Sequence, residues 1–449
     1  MSLHLEKVRV QLASGPMRAR QLVEKIQLSQ PTLSRAIAAL GDEVVRLGAG
    51  PSIHYALRDT ARGVGETPVY RVSAEGTLRE LGTLIPVRPD GYVMVQSDGK
   101  TLHSESLPWW LFDMRPQGYL GRAYASRHAQ TLGLPAALNE WNDTHALRAL
   151  LAHGHDAIGN LLLGNAARDA FLANNSPIVI AEDKKQAAYT RRALEAASGD
   201  SPGSSAGGEQ PKFLVYSETP SGPRHVIVKF TAAEDHAVSQ RWRDLLLAEH
   251  LALHTLRAAN ISAAQSRIVD AGTQRFLEVE RFDRIGEFGR RAVFSLAALD
   301  AEFVGMGNAG WAPVAQALAQ QGCVEASAAE TAAHLQAFGV LIGNTDMHAG
   351  NLSFVSEHGR PYQLAPAYDM LPMGFAPRTG GEIPTALVPA RIHAYISPYV
   401  WHKAEQVARS YLATLQDEAG FSPAFQPCIA ALETHIEAAV SVIARLESS

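Results

Sequence analysis

The chain has 449 residues, room for two to four domains at about 150 residues each. Apolar residues make up 46% and charged residues 19%, with 36 glycines and 24 prolines, a globular composition that excludes disorder, collagen and coiled coil as the main architecture. Two distant cysteines, Cys323 and Cys428, exclude a disulfide scaffold and a zinc module and fit a reducing compartment. There is no run of about 18 apolar residues and no basic-then-apolar start, so neither a membrane span nor a signal peptide is expected, and the expected location is the cytoplasm. Net charge is −5, yet residues 1–60 hold eight Lys and Arg against five Asp and Glu, a basic head on an acidic body.

The first sixty residues predict helix, helix, turn, helix and hairpin. Leu5, Val8, Val10 and Leu12 begin an apolar-periodic segment that Ser14-Gly15-Pro16 closes, and Leu22, Val23 and Ile26 mark a second helix. Ser29 is placed to cap a third helix, with Pro31 in its first turn. Leu33, Ile37 and Leu40 then form one buried stripe, leaving Gln30, Thr32, Ser34 and Arg35 facing outward. Val44–Leu47 and Ile53–Leu57 flank a Gly48-Ala49-Gly50-Pro51 turn. This is the order of a winged helix-turn-helix, so residues 1–60 are expected to bind DNA through those four polar side chains. A small helical domain that binds protein is the competing reading.

Residues 61–66 look like a linker. Val69–Val72, Gly82–Val87 and Tyr92–Val95 predict short strands, with turns at Asp90-Gly91 and Asp98-Gly99. Leu107–Phe112 is a dense aromatic cluster read as core, and 145–175 reads as helical. A small-residue stretch, Ser198–Gly208, enters a strand at Pro211–Tyr216, and His225–Phe230 predicts another. From about 236 the pattern is mostly helical to the end, broken by a hairpin-like piece near 352–369.

The most informative segment is Gly343-Asn344-Thr345-Asp346-Met347-His348-Ala349-Gly350-Asn351, a loop between a helix and a strand. Asp346 and Asn351 stand at the spacing of a kinase catalytic loop, where the Asp takes the proton of the attacking hydroxyl and the Asn holds a metal ion. Asp369, eighteen residues on, is where a second metal-holding carboxylate belongs, since Mg²⁺ is hard and prefers oxygen ligands. Upstream, Gly207 and Gly208 allow backbone N–H groups to approach phosphate, and Lys212 can add a point charge. Lys229 ends an alternating strand, and Glu249 on the next helix can pair with it. Each of these is weak alone, but their order along the chain is that of a kinase.

These residues resemble the HipA-like serine/threonine kinases of bacterial toxin–antitoxin systems, over roughly residues 68–440, and the chain looks like the subgroup with a fused N-terminal winged helix-turn-helix. The likeness is strongest at 203–212, Val279-Glu280-Arg281-Phe282-Asp283-Arg284, 343–354 and 364–371. It implies an α+β, kinase-like two-lobed body, with a β-rich N-terminal lobe over 67–235 and an all-helical C-terminal lobe over 236–449. It also implies Asp346 as catalytic base, Asn351 and Asp369 as Mg²⁺ ligands, and Lys229 on the ATP phosphates with Glu249 as its ion-pair partner. Gly207, Gly208, Lys212, Glu280, Phe282 and His348 would complete the ATP site, with the Glu280–Phe282 segment against adenine. Ser204 and Ser205 are the candidates for inactivating autophosphorylation. Two departures stand out. Gly350 occupies a position that is usually lysine, and Ser295–Asp300 replaces the usual His-Gln-Glu-Asp stretch.

The expected activity is transfer of phosphate from ATP, with Mg²⁺, to a protein such as an aminoacyl-tRNA synthetase, with growth arrest and persistence as the outcome. Expected partners are DNA, that protein substrate, an antitoxin and a second copy of the chain, since winged helices often read paired half-sites. The alternatives are a DNA-binding regulator whose kinase-like body only senses nucleotide, and a small-molecule kinase.

Overall fold

The computed structural model describes residues 2–48, 53–173, 176–197 and 210–447. Ser204, Ser205, Gly207 and Gly208 of the expected phosphate loop lie outside these residues, as do turn residues 49–51.

Helices Ser2–Leu12, Ala19–Ile26 and Gln30–Leu40 pack around Val8, Leu12, Leu22, Leu33 and Leu40. Beside them lies an antiparallel sheet of Met17–Arg18, His54–Leu57 and Val44–Leu47, with His54–Leu57 in the middle. The third helix starts as its sequence dictates. Ser29 is extended, its Oγ accepts the Thr32 N–H, and Pro31 sits in the first turn, where no N–H is needed. Gln30, Ser34 and Arg35 are exposed. Thr32 departs from expectation. It is half-buried, because its hydroxyl lies 2.8 Å from Ser29 Oγ and belongs to the cap. The expected linker is also docked rather than free. Val64 is buried, and the Arg62 guanidinium donates to the carbonyls of Val87, Asp90 and Gly91. Val45, Leu47 and Ala56 of the head share a core with Ile85, Val87 and Val93 of the next sheet.

That sheet is antiparallel throughout, in the order Thr101–Ser104, Tyr92–Gln96, Leu78–Pro86, Thr67–Val72 and Leu161–Leu163. Leu161–Leu163 interrupts the stretch read as helical, between helices Asp143–His153 and Gly164–Leu172. A short all-leucine run carries no period, so only its pairing with Thr67–Val72 decides its state. The aromatic cluster becomes the 3-10 turn Trp109–Met114, with Leu111 fully buried beside Val69 and Leu147.

A second five-stranded sheet runs Ser266–Ala271, Gln274–Glu280, Arg224–Phe230, Lys212–Ser217 and Val179–Ile180. Helix Lys185–Ala197 covers one face through Tyr189 and Ala193. Leu246 of helix Ala237–Ala258 packs on Leu277 and Val279 from the other. Two of these strands follow residue 236. The expected division at 235/236 therefore cuts through the sheet, and the part beyond it is not all-helical. The remaining helices, among them Ala326–Leu341 and Pro398–Asp417, enclose a core around Trp311, Phe338, Trp401 and Tyr411. One helical segment, Pro423–Leu446, is long and apolar enough in composition to cross a membrane. Its Cys428, Leu432, Ile436, Ala439 and Ile443 form a stripe buried in this core, the pattern of an amphipathic core helix.

Candidate active site

Strand Arg224–Phe230 alternates in its environment. Val226, Val228 and Phe230 pack under helix Lys185–Ala197, whereas Ile227 and Lys229 line a cavity of about 480 Å³ on the other face. A buried lysine needs compensation. Lys229 Nζ donates to both carboxylate oxygens of Glu249, at 2.7 and 2.8 Å, and to Asp369 Oδ1. Burial alone would lower the Lys229 pKa, but Asp369 and Glu249 outweigh it and hold the ammonium above the ordinary lysine value. Lys212 stands directly opposite Lys229 on the neighbouring strand and lines the same cavity.

Helix Ala326–Leu341 is followed by Gly343, whose φ of +72° turns the chain toward the cleft at little cost for a residue without Cβ. Asn344 then ties two segments together. Its Oδ1 accepts the Asp346 N–H at 3.0 Å and its Nδ2 donates to the Asp369 carbonyl at 3.2 Å. Asn351, buried in the turn Ala349–Asn351, donates from Nδ2 to the Asp346 carbonyl at 2.8 Å. Asp369 has φ +53°, a left-handed conformation that is uncommon outside glycine but best tolerated by Asn and Asp. Burial opposes its ionisation, but Lys229 and Lys212 prevail and hold its pKa below the usual range. Asp346 shifts the other way, raised by burial and then by the nearby Asp369 charge. Two carboxylates are thus set apart in basicity within one cleft.

Asn351 and Asp369 present oxygen donors to this cavity, and Asn351 Oδ1 accepts no hydrogen bond among the described residues. One or two protein oxygens, completed by water and phosphate, are what Mg²⁺ takes. The donor set therefore fits that ion. Beyond Lys229 the cleft continues into a cavity of about 270 Å³ lined by Gln210, Thr231 and Trp242.

The other expected site residues divide. His348 is exposed, with Nε2 3.9 Å from Asp346 Oδ1 and Nδ1 accepting the Gly350 N–H at 3.0 Å. A Cβ at position 350 would fall 2.9 Å from the His348 ring, so a side chain there would displace this fold-back. Glu280 and Phe282 line the cavity, and the Phe282 ring lies 5.6 Å from that of Tyr368. The backbone N–H groups of Glu280 and Arg281 are already donated, to Gln265 and His225. Arg281 and Arg284 do not open onto a ligand as free cations. Arg281 grips Asp283 through two 2.9 Å bonds, and Arg284 reaches Asp283 at 2.6 Å and Asp156 at 2.7 Å. In the second departure Ser295 caps helix Leu296–Phe303, and the Asp300 carboxylate accepts the N–H groups of Met306 and Gly307.

Sequence reasoning missed a whole wall. Phe112, Asp113, Gln117 and Ile158 line the cavity opposite Lys229. Asp113 Oδ2 accepts the Ser295 N–H at 2.6 Å, and burial pushes its pKa up. Its only local signal was its place directly after a core-like aromatic cluster, Leu107–Phe112. Tyr368 was missed too. It donates to the Gly350 carbonyl at 2.9 Å and meets Ser353 Oγ at 2.7 Å.

A buried strand lysine bound to a helix glutamate, facing an Asp-x4-Asn loop and a later aspartate, defines a cleft of the HipA-like type, and residues 204–440 match the HipA-like C-terminal domain. Residues 64–172 match the middle domain of YjjJ-like toxins. The chain is 38% identical over 417 residues to "Toxin YjjJ" of Escherichia coli (strain K12), an alignment covering 92% of this chain and 94% of that protein. It belongs to the HipA-like toxin family. Among solved structures it is similar to HipA of Shewanella oneidensis MR-1, in complex with HipB and operator DNA, with TM-score 0.47 and 18% identity over 81% of this chain and 96% of that one. It is also similar to the Helicobacter pylori proinflammatory kinase CtkA, with TM-score 0.38 and 12% identity over 53% of this chain and 92% of that one.

Proposed function

We propose that the chain is an ATP- and Mg²⁺-dependent protein serine/threonine kinase with a DNA-binding head. The observation that carries this reading is Lys229 Nζ held between Glu249 and Asp369, with Asp346 and Asn351 on the same cavity. Lys229 and Lys212 attract the phosphates. An acceptor hydroxyl bonds to the γ-phosphorus as the bond to the bridging oxygen of the departing ADP breaks, and its proton passes to Asp346. The raised pKa of Asp346 makes it the stronger base of the two aspartates. Mg²⁺ held by Asn351 and Asp369 would neutralise charge on the transferring group.

The acceptors in this reading are a translation component such as an aminoacyl-tRNA synthetase and the chain's own Ser204 or Ser205. Phosphate on that loop adds about two negative charges beside those of ATP, which repel it. The head is read as a winged helix-turn-helix that presents Gln30, Ser34 and Arg35 to DNA.

The test is ATP transfer by the purified chain with Mg²⁺, beside Asp346→Asn, with mass spectrometry of the peptide containing Ser204 and Ser205. Phosphate on wild type only is the expected result, with a rate loss of about 10²–10⁴ on removing the base. Tight ATP binding with no phosphate anywhere would favour the nucleotide-sensing regulator. No ATP binding at all would end the kinase reading.

A further inference from the structure

A second cavity, of about 430 Å³, lies between the middle sheet and strand Ala292–Ser295. It is back to back with the candidate active site, since Ile158 and Val293 line both. Its volume is that of a small-molecule site.

Three features make it more than a packing gap. Trp109, Trp110, Phe294 and Tyr362 give it aromatic walls, and the Trp109 and Tyr362 rings each lie 5.0 Å from Phe294. Asn160 is only 6% exposed, lines the cavity, and has no side-chain hydrogen bond among the described residues. The amide therefore stands open to the cavity with its hydrogen-bonding capacity unused by the protein. Finally, Arg71 and Arg79 stand directly opposite each other on neighbouring strands at the cavity. Neither side chain forms an ion pair or hydrogen bond among the described residues. Like charges in that register destabilise a sheet unless something between them compensates. Both arginines are exposed to solvent, and partial burial and then the Arg79 charge lower the Arg71 pKa. The lining acids are Glu80 and Asp98, and Lys100 already takes Asp98 at 2.8 Å, so the cations are in excess.

We propose that this cavity binds a small aromatic carboxylate, with the ring among Trp109, Trp110 and Phe294, the carboxylate on Arg71 and Arg79, and a polar ring substituent on Asn160. A guanidinium fork suits a carboxylate, and the aromatic walls set the ring plane. The site is separate from the ATP cleft, so the proposal does not depend on phosphoryl transfer.

The probe is naphthoate, with the neutral naphthamide as control, titrated calorimetrically into the full chain without nucleotide. Naphthoate should bind at one site per chain, and Arg71→Gln/Arg79→Gln should weaken it by about tenfold or more. Naphthamide should bind weakly and equally to both proteins. The double variant removes a like-charge pair, so its melting temperature should be unchanged or higher, which separates lost binding from lost folding. Asn160→Leu should leave naphthoate affinity largely unchanged, since that probe carries no polar ring substituent, but should remove the extra affinity that wild type shows for hydroxynaphthoate. No saturable binding to wild type, or equal naphthoate affinity in the double variant, would overturn the proposal.

Discussion

Lys229 is the residue on which the site turns, and its two bonds to Glu249 have a cost that can be measured. Glu249 is almost fully buried, so removing its partner strands a charge in the interior. Lys229→Met should destabilise the chain by about 3–5 kcal/mol in denaturant unfolding. Adding Glu249→Leu should recover most of that loss by removing the stranded carboxylate, yet nucleotide binding should stay lost in both variants. If the double variant is no more stable than the single one, the pair is not the source of the cost. This pairing was legible in the sequence, because a lysine closing an alternating strand has few ways to be buried and the next helix offers a glutamate on its apolar side. Asp113 was not legible, since its role arises only from contact with Ser295, 182 positions away. Thr32 was half legible. The cap at Ser29 was foreseen, but not that the cap takes the Thr32 hydroxyl out of the exposed set.

Among elements, helices with one buried stripe and the hairpin before Asp369 were readable, and the other strands after residue 236, among them Ser266–Ala271 and Gln274–Glu280, were not. Gln274–Glu280 lies between two strands and is buried on both faces, so it lacks the period-two alternation that marks a half-exposed strand. Its partner Ser266–Ala271 is also what secures the helix that carries Glu249. His250 Nδ1 meets Ser266 Oγ at 3.0 Å, and burial, then Arg257 and His254, push its pKa down to about 4. His225, on the central strand, is pushed down to about 4 as well, mainly by burial. A histidine that is harder to protonate folded than unfolded gives the unfolded chain the greater proton uptake between about 4 and 6.5. Stability should therefore fall as the pH drops through that window. Melting temperature should decrease from about pH 7 to about pH 5, and His225→Gln/His250→Gln should flatten the decrease. Parallel curves for the two proteins would show that other groups drive the acid loss.

At the scale of the whole molecule, the junctions were the least legible feature. Composition marks 61–66 as a linker, yet Arg62 and Val64 are docked, and the head shares Val45, Leu47 and Ala56 with the middle sheet. Small polar residues signal a break in periodic structure, not whether the break is packed against something. The head is therefore docked rather than tethered, and Gln30, Ser34 and Arg35 of its third helix stay exposed while Leu33, Ala36 and Leu40 form the buried stripe. A docked head presenting Gln30, Ser34 and Arg35 should bind DNA in the full chain without help from phosphoryl transfer. In a mobility-shift assay on the DNA upstream of its own coding sequence, wild type and Asp346→Asn should shift the fragment equally. Gln30→Ala/Arg35→Ala should lose the preference over random DNA, at about 1–3 kcal/mol for each base contact removed. Raising the salt should weaken wild-type binding to both DNAs through released counterions, while the preference between them persists. If wild type favours neither DNA at any salt, the head does not read sequence, and its exposed third helix is a protein-binding surface instead.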